Sequence, residues 1–195
     1  MVRIPTVFPL IFAAFWVWSV CAWGESLQLD TLSSLVVPGE MVSGRFVQCN
    51  VTRSSAVRST GKFTFSPRKY LLLETESPVR QSSKLFSDGS KRTTLAGVEA
   101  KSEDRSAVNA VILSILGLEQ DQITQHFDIE LKGDLSEYHL ALTPLVRLSG
   151  MFRGISIDGS EQGPDRIEVE LKGDRKLITH LLLDAQVSPE EIRCP

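Results

Sequence analysis

The segment from Val42 to Pro67, VSGRFVQCNVTRSSAVRSTGKFTFSP, constrains the fold more than any other part of the chain. It holds two β-type runs, each entered through a glycine and joined by a polar connection of Ser, Arg and Thr. In the second run Phe63 and Phe65 alternate with Lys62 and Thr64, the period of two that sends successive side chains to opposite faces of a strand. In the first, Val42, Gly44, Phe46 and Gln48 share one face, and Arg45, Val47 and Cys49 share the other. After Ser66-Pro67 come KYLLLETE, then VRQSSKLF behind Ser77-Pro78, then a Ser87-Asp88-Gly89-Ser90 turn into KRTTLAG. No helix long enough for a parallel crossover separates these strands, so the sheet is expected to be antiparallel.

The remainder adds one apolar helix and more strands. A short amphipathic helix is expected before the hairpin, over Leu27 to Val36, ending at Pro38-Gly39. From Ser102 a second helix runs to Gly117. Its Val108, Val111, Ile112, Ile115 and Leu116 form a broad apolar stripe, with no charge from Ser106 to Leu118, so it must bury nearly all of itself. A polar helical turn, EQDQIT, follows. Then FDIELKGD, EYHLALTP, GISIDG, RIEVELKGD and KLITHLLLDA alternate apolar with polar residues, and Gly133-Asp134 and Gly173-Asp174 mark hairpin turns. Ser188-Pro189-Glu190-Glu191 has the form of a helix start. About ten one-faced strands make a sheet that curls over its own apolar side.

A chain of 195 residues supports one sizeable core. Residues 1–24 are expected to be a cleaved signal peptide: Arg3 precedes an uncharged apolar run from Val7 to Val20, shorter than the ~20 residues of a membrane span, with small residues near Gly24. A retained anchor and lipidation at Cys21 are the minority readings. Residues 25–195 then form a single domain. Loss of Arg3 takes the formal charge from −3 to −4, which argues against nucleic-acid binding. Cys49 and Cys194 remain in a chain bound for an oxidising compartment; they either pair or stay free, and spacing decides neither. Asn50-Val51-Thr52 is a glycosylation sequon, meaningful only in a eukaryote.

Catalytic constellations do not emerge. His126, His139 and His180 are far apart and lack a Cys or carboxylate at ligand spacing, and there is no GxSxG, HExxH, CxxC or glycine-rich phosphate loop. The acids alternate with apolar residues along strands, which makes them a solvated sheet face. What remains is an apolar concave face under an apolar helix. It is either an ordinary filled core or a dry cavity for acyl chains, and pattern alone leaves both open.

The ordered set Phe46, Gln48, Gly61, Phe65, Pro67, Tyr70, Pro78 and Ser87-Asp88-Gly89 resembles LolA, the periplasmic carrier family for outer-membrane lipoproteins, in its divergent branch. The resemblance continues through FDIELKGD, YHLALTP and IEVELKGDRKLITHLLLDA, most of the chain after residue 24. It implies a mainly β (α+β) fold, LolA/LolB-like: an incomplete, curved antiparallel β-barrel of about ten or eleven strands with a helical lid. By position, Phe46, Phe63, Phe65, Tyr70 and Leu72 would line the cavity, and Val108, Val111, Ile112 and Ile115 would form the lid's inner side. The family departs from this chain at Ser66, where classical carriers have an Arg that holds the lid, and at Leu72, where they have a Trp.

The function so implied is a periplasmic, monomeric carrier with no cofactor and no catalysis. It would take the acyl chains of lipoproteins or lipids from an inner-membrane donor complex towards an outer-membrane acceptor. The alternatives are a structural or accessory protein with a filled β-core and, third, an enzyme acting on lipids.

Overall fold

The computed structural model describes residues 27–34, 40–95, 98–100, 107–146, 148–183 and 188–195, with the backbone alone for 99–100 and 107–111. The expected signal peptide and Cys21 lie outside these residues. Among the described residues eleven strands form one antiparallel sheet: β1 (Val42–Val51), β2 (Ala56–Ser66), β3 (Tyr70–Ser77), β4 (Gln81–Phe86), β5 (Lys91–Leu95), β6 (Val98–Ala100), β7 (Phe127–Gly133), β8 (Tyr138–Pro144), β9 (Phe152–Ser160), β10 (Gly163–Leu171) and β11 (Arg175–Leu182). The helices are α1 (Leu29–Ser33), α2 (Ala107–Leu116) and α3 (Gln120–Thr124), with a 3-10 turn at Pro189–Glu191. Of the first expected helix, Leu35 and Val36 fall outside the described residues.

The spatial order β6-β5-β4-β3-β2-β1-β11-β10-β9-β8-β7 is two meanders joined once, where β1 pairs with β11 from Arg45↔Leu182 to Val51↔Lys176. The sheet is curved and does not close: β6 and β7 are its two edges. Those edges are consecutive strands in the chain, and α2 and α3 lie between them in sequence. Within that connection α2 lies over the concave side, its Leu113 and Leu116 packed on β1–β4, because its stripe is too apolar to face water. The mainly β, incomplete-barrel architecture expected from the sequence is what is observed.

Local chemistry sets the register. At the β4–β5 turn the Asp88 carboxylate accepts from the Ser90 N–H (2.9 Å) and hydroxyl (2.6 Å). At the β7–β8 turn Gly133 has φ +89°, and a Cβ there would lie 2.1 Å from the Glu137 carbonyl oxygen. Asp134 closes that turn by accepting from the Ser136 and Glu137 amides (2.8 and 3.3 Å).

Two clusters share the concave side. Over β7–β10, Leu140, Leu142, Ile155 and Ile157 are plugged by Leu32 of α1, Leu118, and Ile123 of α3. Over β1–β4, Phe46, Phe63, Phe65, Leu71 and Leu85 meet Leu113 and Leu116 of α2. A third cluster lies on the convex side. Val47, Cys49 and Ile178 are buried there beneath Ile192 and Cys194 of the C-terminal segment. The strands are thus not all one-faced, contrary to expectation at β1 and β11. Cys49 and Cys194 form a disulfide, with a Cα–Cα distance of 5.6 Å. The Arg58 guanidinium anchors the same segment by donating to the Ile192 carbonyl (3.2 Å) and the Pro189 carbonyl.

Tyr138 is only 1% exposed, and its hydroxyl has no hydrogen-bond partner among the described residues. Burial pushes its ionisation well above the ordinary phenol value, with the Asp165 and Asp158 charges adding to the effect. An unpaired buried hydroxyl costs about 1–3 kcal/mol. Tyr138→Phe is therefore expected to leave urea-unfolding stability unchanged or raise it by about 1 kcal/mol; a loss larger than that would mean the hydroxyl has a partner in solution.

Candidate functional site: a cavity under the second helix

The concave face of β1–β5 is built in rows, because antiparallel register aligns alternate residues of neighbouring strands. The first row is Val42–Phe65–Leu71–Leu85–Lys91 and the next Gly44–Phe63–Leu73–Ser83–Thr93. Beyond them run Leu181–Phe46–Gly61–Thr75–Gln81 and then Thr179–Gln48–Ser59. Gly61 sits at the register shift between β2 and β3, where a Cβ would meet the Glu74 carbonyl oxygen at 2.0 Å. Only glycine lets the two backbones approach so closely.

Between these rows, β10–β11 and α2 lies a cavity of about 390 Å³. Phe46, Phe63, Phe65, Ile112 and Ile115 line it. The side chains of Val108 and Val111 lie outside the described residues. Tyr70 and Leu72 do not line it. Leu71 and Leu73 take those places, because Leu71 pairs with Phe65 and Leu85, and Leu73 with Phe63, all on the inner face. Leu72 instead pairs with Thr64 and Lys84 on the outer face, and the Lys84 ammonium sits 3.9 Å from the Tyr70 ring centre. Leu177, Leu181 and Leu183 of the C-terminal meander also line the cavity, which sequence reasoning did not foresee. Ser66 is buried. Across Pro67, the Arg68 guanidinium lies 4.0 Å from the half-buried Glu119, at the start of α3, a partly exposed ion pair worth little by itself.

The titratable network lies elsewhere, on the outer face of β8–β11. The His139 ring contacts Asp158 at 2.6 Å, Arg166 donates to Asp158 at 3.0 Å and to Glu168, and Lys176 reaches Glu168 at 2.8 Å. The Lys176 hydrogen bond outweighs burial and holds the Glu168 carboxyl below its ordinary value. At Asp158, burial pushes upward, but the combined His139 and Arg166 bonds and charges prevail, and that carboxyl too is held low. A depressed carboxyl stabilises the fold above its unfolded value, and the contribution is lost as pH falls through the folded one. The thermal unfolding midpoint is therefore expected to drop as pH falls from about 5 to about 3, and Arg166→Ala should flatten that dependence. An unchanged slope in the variant would refute the assignment.

Among the described residues no three His, Cys, Asp or Glu side chains converge as metal ligands, and no helix is long and apolar enough to cross a membrane.

No family model matches the chain, and no curated protein matches it. Among solved structures it is similar to a LolA superfamily protein from Nitrosomonas europaea, with a TM-score of 0.44 and 10% identity over 78% of this chain and 88% of that one. It is also similar to a DUF1329 family protein from Desulfovibrio piger, with a TM-score of 0.44 and 12% identity over 82% and 92%. A third likeness is to the MucA/MucB complex of Pseudomonas aeruginosa, with a TM-score of 0.46 and 14% identity, covering 86% of this chain and 59% of that one.

Proposed function

We propose that this protein is a non-catalytic periplasmic carrier that buries acyl chains of lipoproteins or lipids between its sheet and α2 and hands them on towards the outer membrane. The reading rests on one observation: the protein's own side chains plug much of the concave side over β7–β10, but about 390 Å³ stays unfilled between β1–β4, the inner faces of β10–β11 and α2. That volume lies within the ~300–1,000 Å³ of small-molecule pockets. Each methylene buried there is worth ~0.8 kcal/mol, so part of one chain gives useful affinity without covalent chemistry. The Cys49–Cys194 disulfide supports an oxidising compartment, and the apolar N-terminal run supplies a route across the inner membrane.

Native mass spectrometry of the protein purified from a periplasmic extract tests the reading. Co-purifying lipid, or stoichiometric uptake of an added fatty-acyl probe, is the expected result. A clean apo mass with no uptake would favour the structural or accessory alternative.

A further inference from the structure

The cavity wall is graded along the strands. The row Val42–Phe65–Leu71–Leu85 is apolar, and α2 packs on it through Leu113 and Leu116. Two rows further on the inner face carries Thr75 and Gln81, and next to them Gln48 and Thr179, all half-buried and all lining the same cavity. Ser83 lines it as well, and is itself buried. The charged residues that line the cavity, Glu40 and Lys91, are at the opposite end: Lys91 pairs with Leu85, and Glu40 precedes Val42.

Among the described residues, the polar end is therefore a cluster of amides and hydroxyls without an ionic side chain in its rows. The Gln48 amide donates to the Thr179 hydroxyl (3.1 Å) and the Gln81 amide to the Ser83 hydroxyl (2.9 Å). Each bond uses one group of an amide that can make several, so hydrogen-bonding capacity remains at the wall. A solvated outer face would account for such residues, but this is the inner face, in register with Phe46 and Phe63.

Resting on the carrier reading, we infer that the guest is an amphiphile with an uncharged head rich in hydroxyl or amide groups, its chain under α2 and its head against Gln48, Thr75, Gln81 and Thr179. An ionised head placed there would lose hydration without gaining a counter-charge, whereas hydroxyls would exchange water for amide and threonine partners. At this end of the cavity the preference is thus for glycerol-type, glycosyl or amide heads over carboxylate or phosphate heads on the same chain.

The test compares binding of monolauroylglycerol, lauryl maltoside, laurate and lauryl phosphate to the intact folded protein, below their micelle concentrations, by displacement of a fluorescent acyl probe. The neutral glyceride or glycoside is expected to bind about tenfold more tightly than either anion, one or two net hydrogen bonds' worth. Gln48→Leu, and independently Gln81→Leu on the neighbouring strand, should erase most of that preference while leaving laurate affinity within about twofold. Equal affinity for neutral and anionic heads, or equal loss for every probe in both variants, would overturn the head assignment while leaving the carrier reading intact. No binding of any probe would overturn both.

Discussion

Removing the Cys49–Cys194 bond is expected to cost about 4–5 kcal/mol, the largest single loss of stability that the structure implies. The bond joins residues 145 apart in sequence, so it closes almost the whole sheet into one loop. In the chain-entropy model such a loop restricts the unfolded chain far more than a local one. Reduction also frees the segment that covers Val47 and Ile178, at 0% and 5% exposure, leaving the Arg58 hydrogen bonds as its polar tether. The double variant Cys49→Ala/Cys194→Ala and the reduced wild type should show the same fall in urea-unfolding midpoint. If both lose less than about 1 kcal/mol, the cysteines are not paired in the native protein.

The second large effect is on binding. Ile112→Glu places a carboxylate on the cavity side of α2, in a helix that carries no other charge, so any acyl chain entering must strip water from it. A loss of about a hundredfold or more in affinity for a fatty-acyl probe is expected, against little change for Ile112→Leu. The side chain is half-buried, so the apo variant keeps the charge hydrated and should unfold near the wild-type midpoint. Wild-type affinity in folded Ile112→Glu would mean that the chain binds elsewhere.

Much of the architecture is legible in the residues. The alternation of Phe63 and Phe65 with Lys62 and Thr64, the Asp88-Gly89 turn and the charge-free run of α2 each have one inexpensive conformation. The cavity wall is not legible at β3, because three consecutive leucines, Leu71 to Leu73, carry no period. Their facing is set by the Ser66–Lys69 turn, closed by the Lys69 amide donating to the Ser66 carbonyl (3.0 Å), and a shift of one residue exchanges the faces. The disulfide needed geometry that spacing does not carry. The polar end is illegible for another reason: Gln48, Thr75, Gln81 and Thr179 come from four strands, and although Gln48 shares the face of Phe46 in the sequence, only the register brings the other three onto the same wall.

If the space under α2 is a binding cavity and not loose packing, filling it must expel the guest. Leu73→Trp tests it most directly, since Leu73 lines the cavity, is only partly buried and can carry extra volume into it. Titration with a fluorescent acyl probe, alongside urea unfolding, should show wild-type uptake, a loss of about tenfold or more in the variant, and a stability unchanged or raised by about 0.5–2 kcal/mol as the void is filled. Undiminished binding in Leu73→Trp, or no binding by the wild type, would mean that the space under α2 holds no guest.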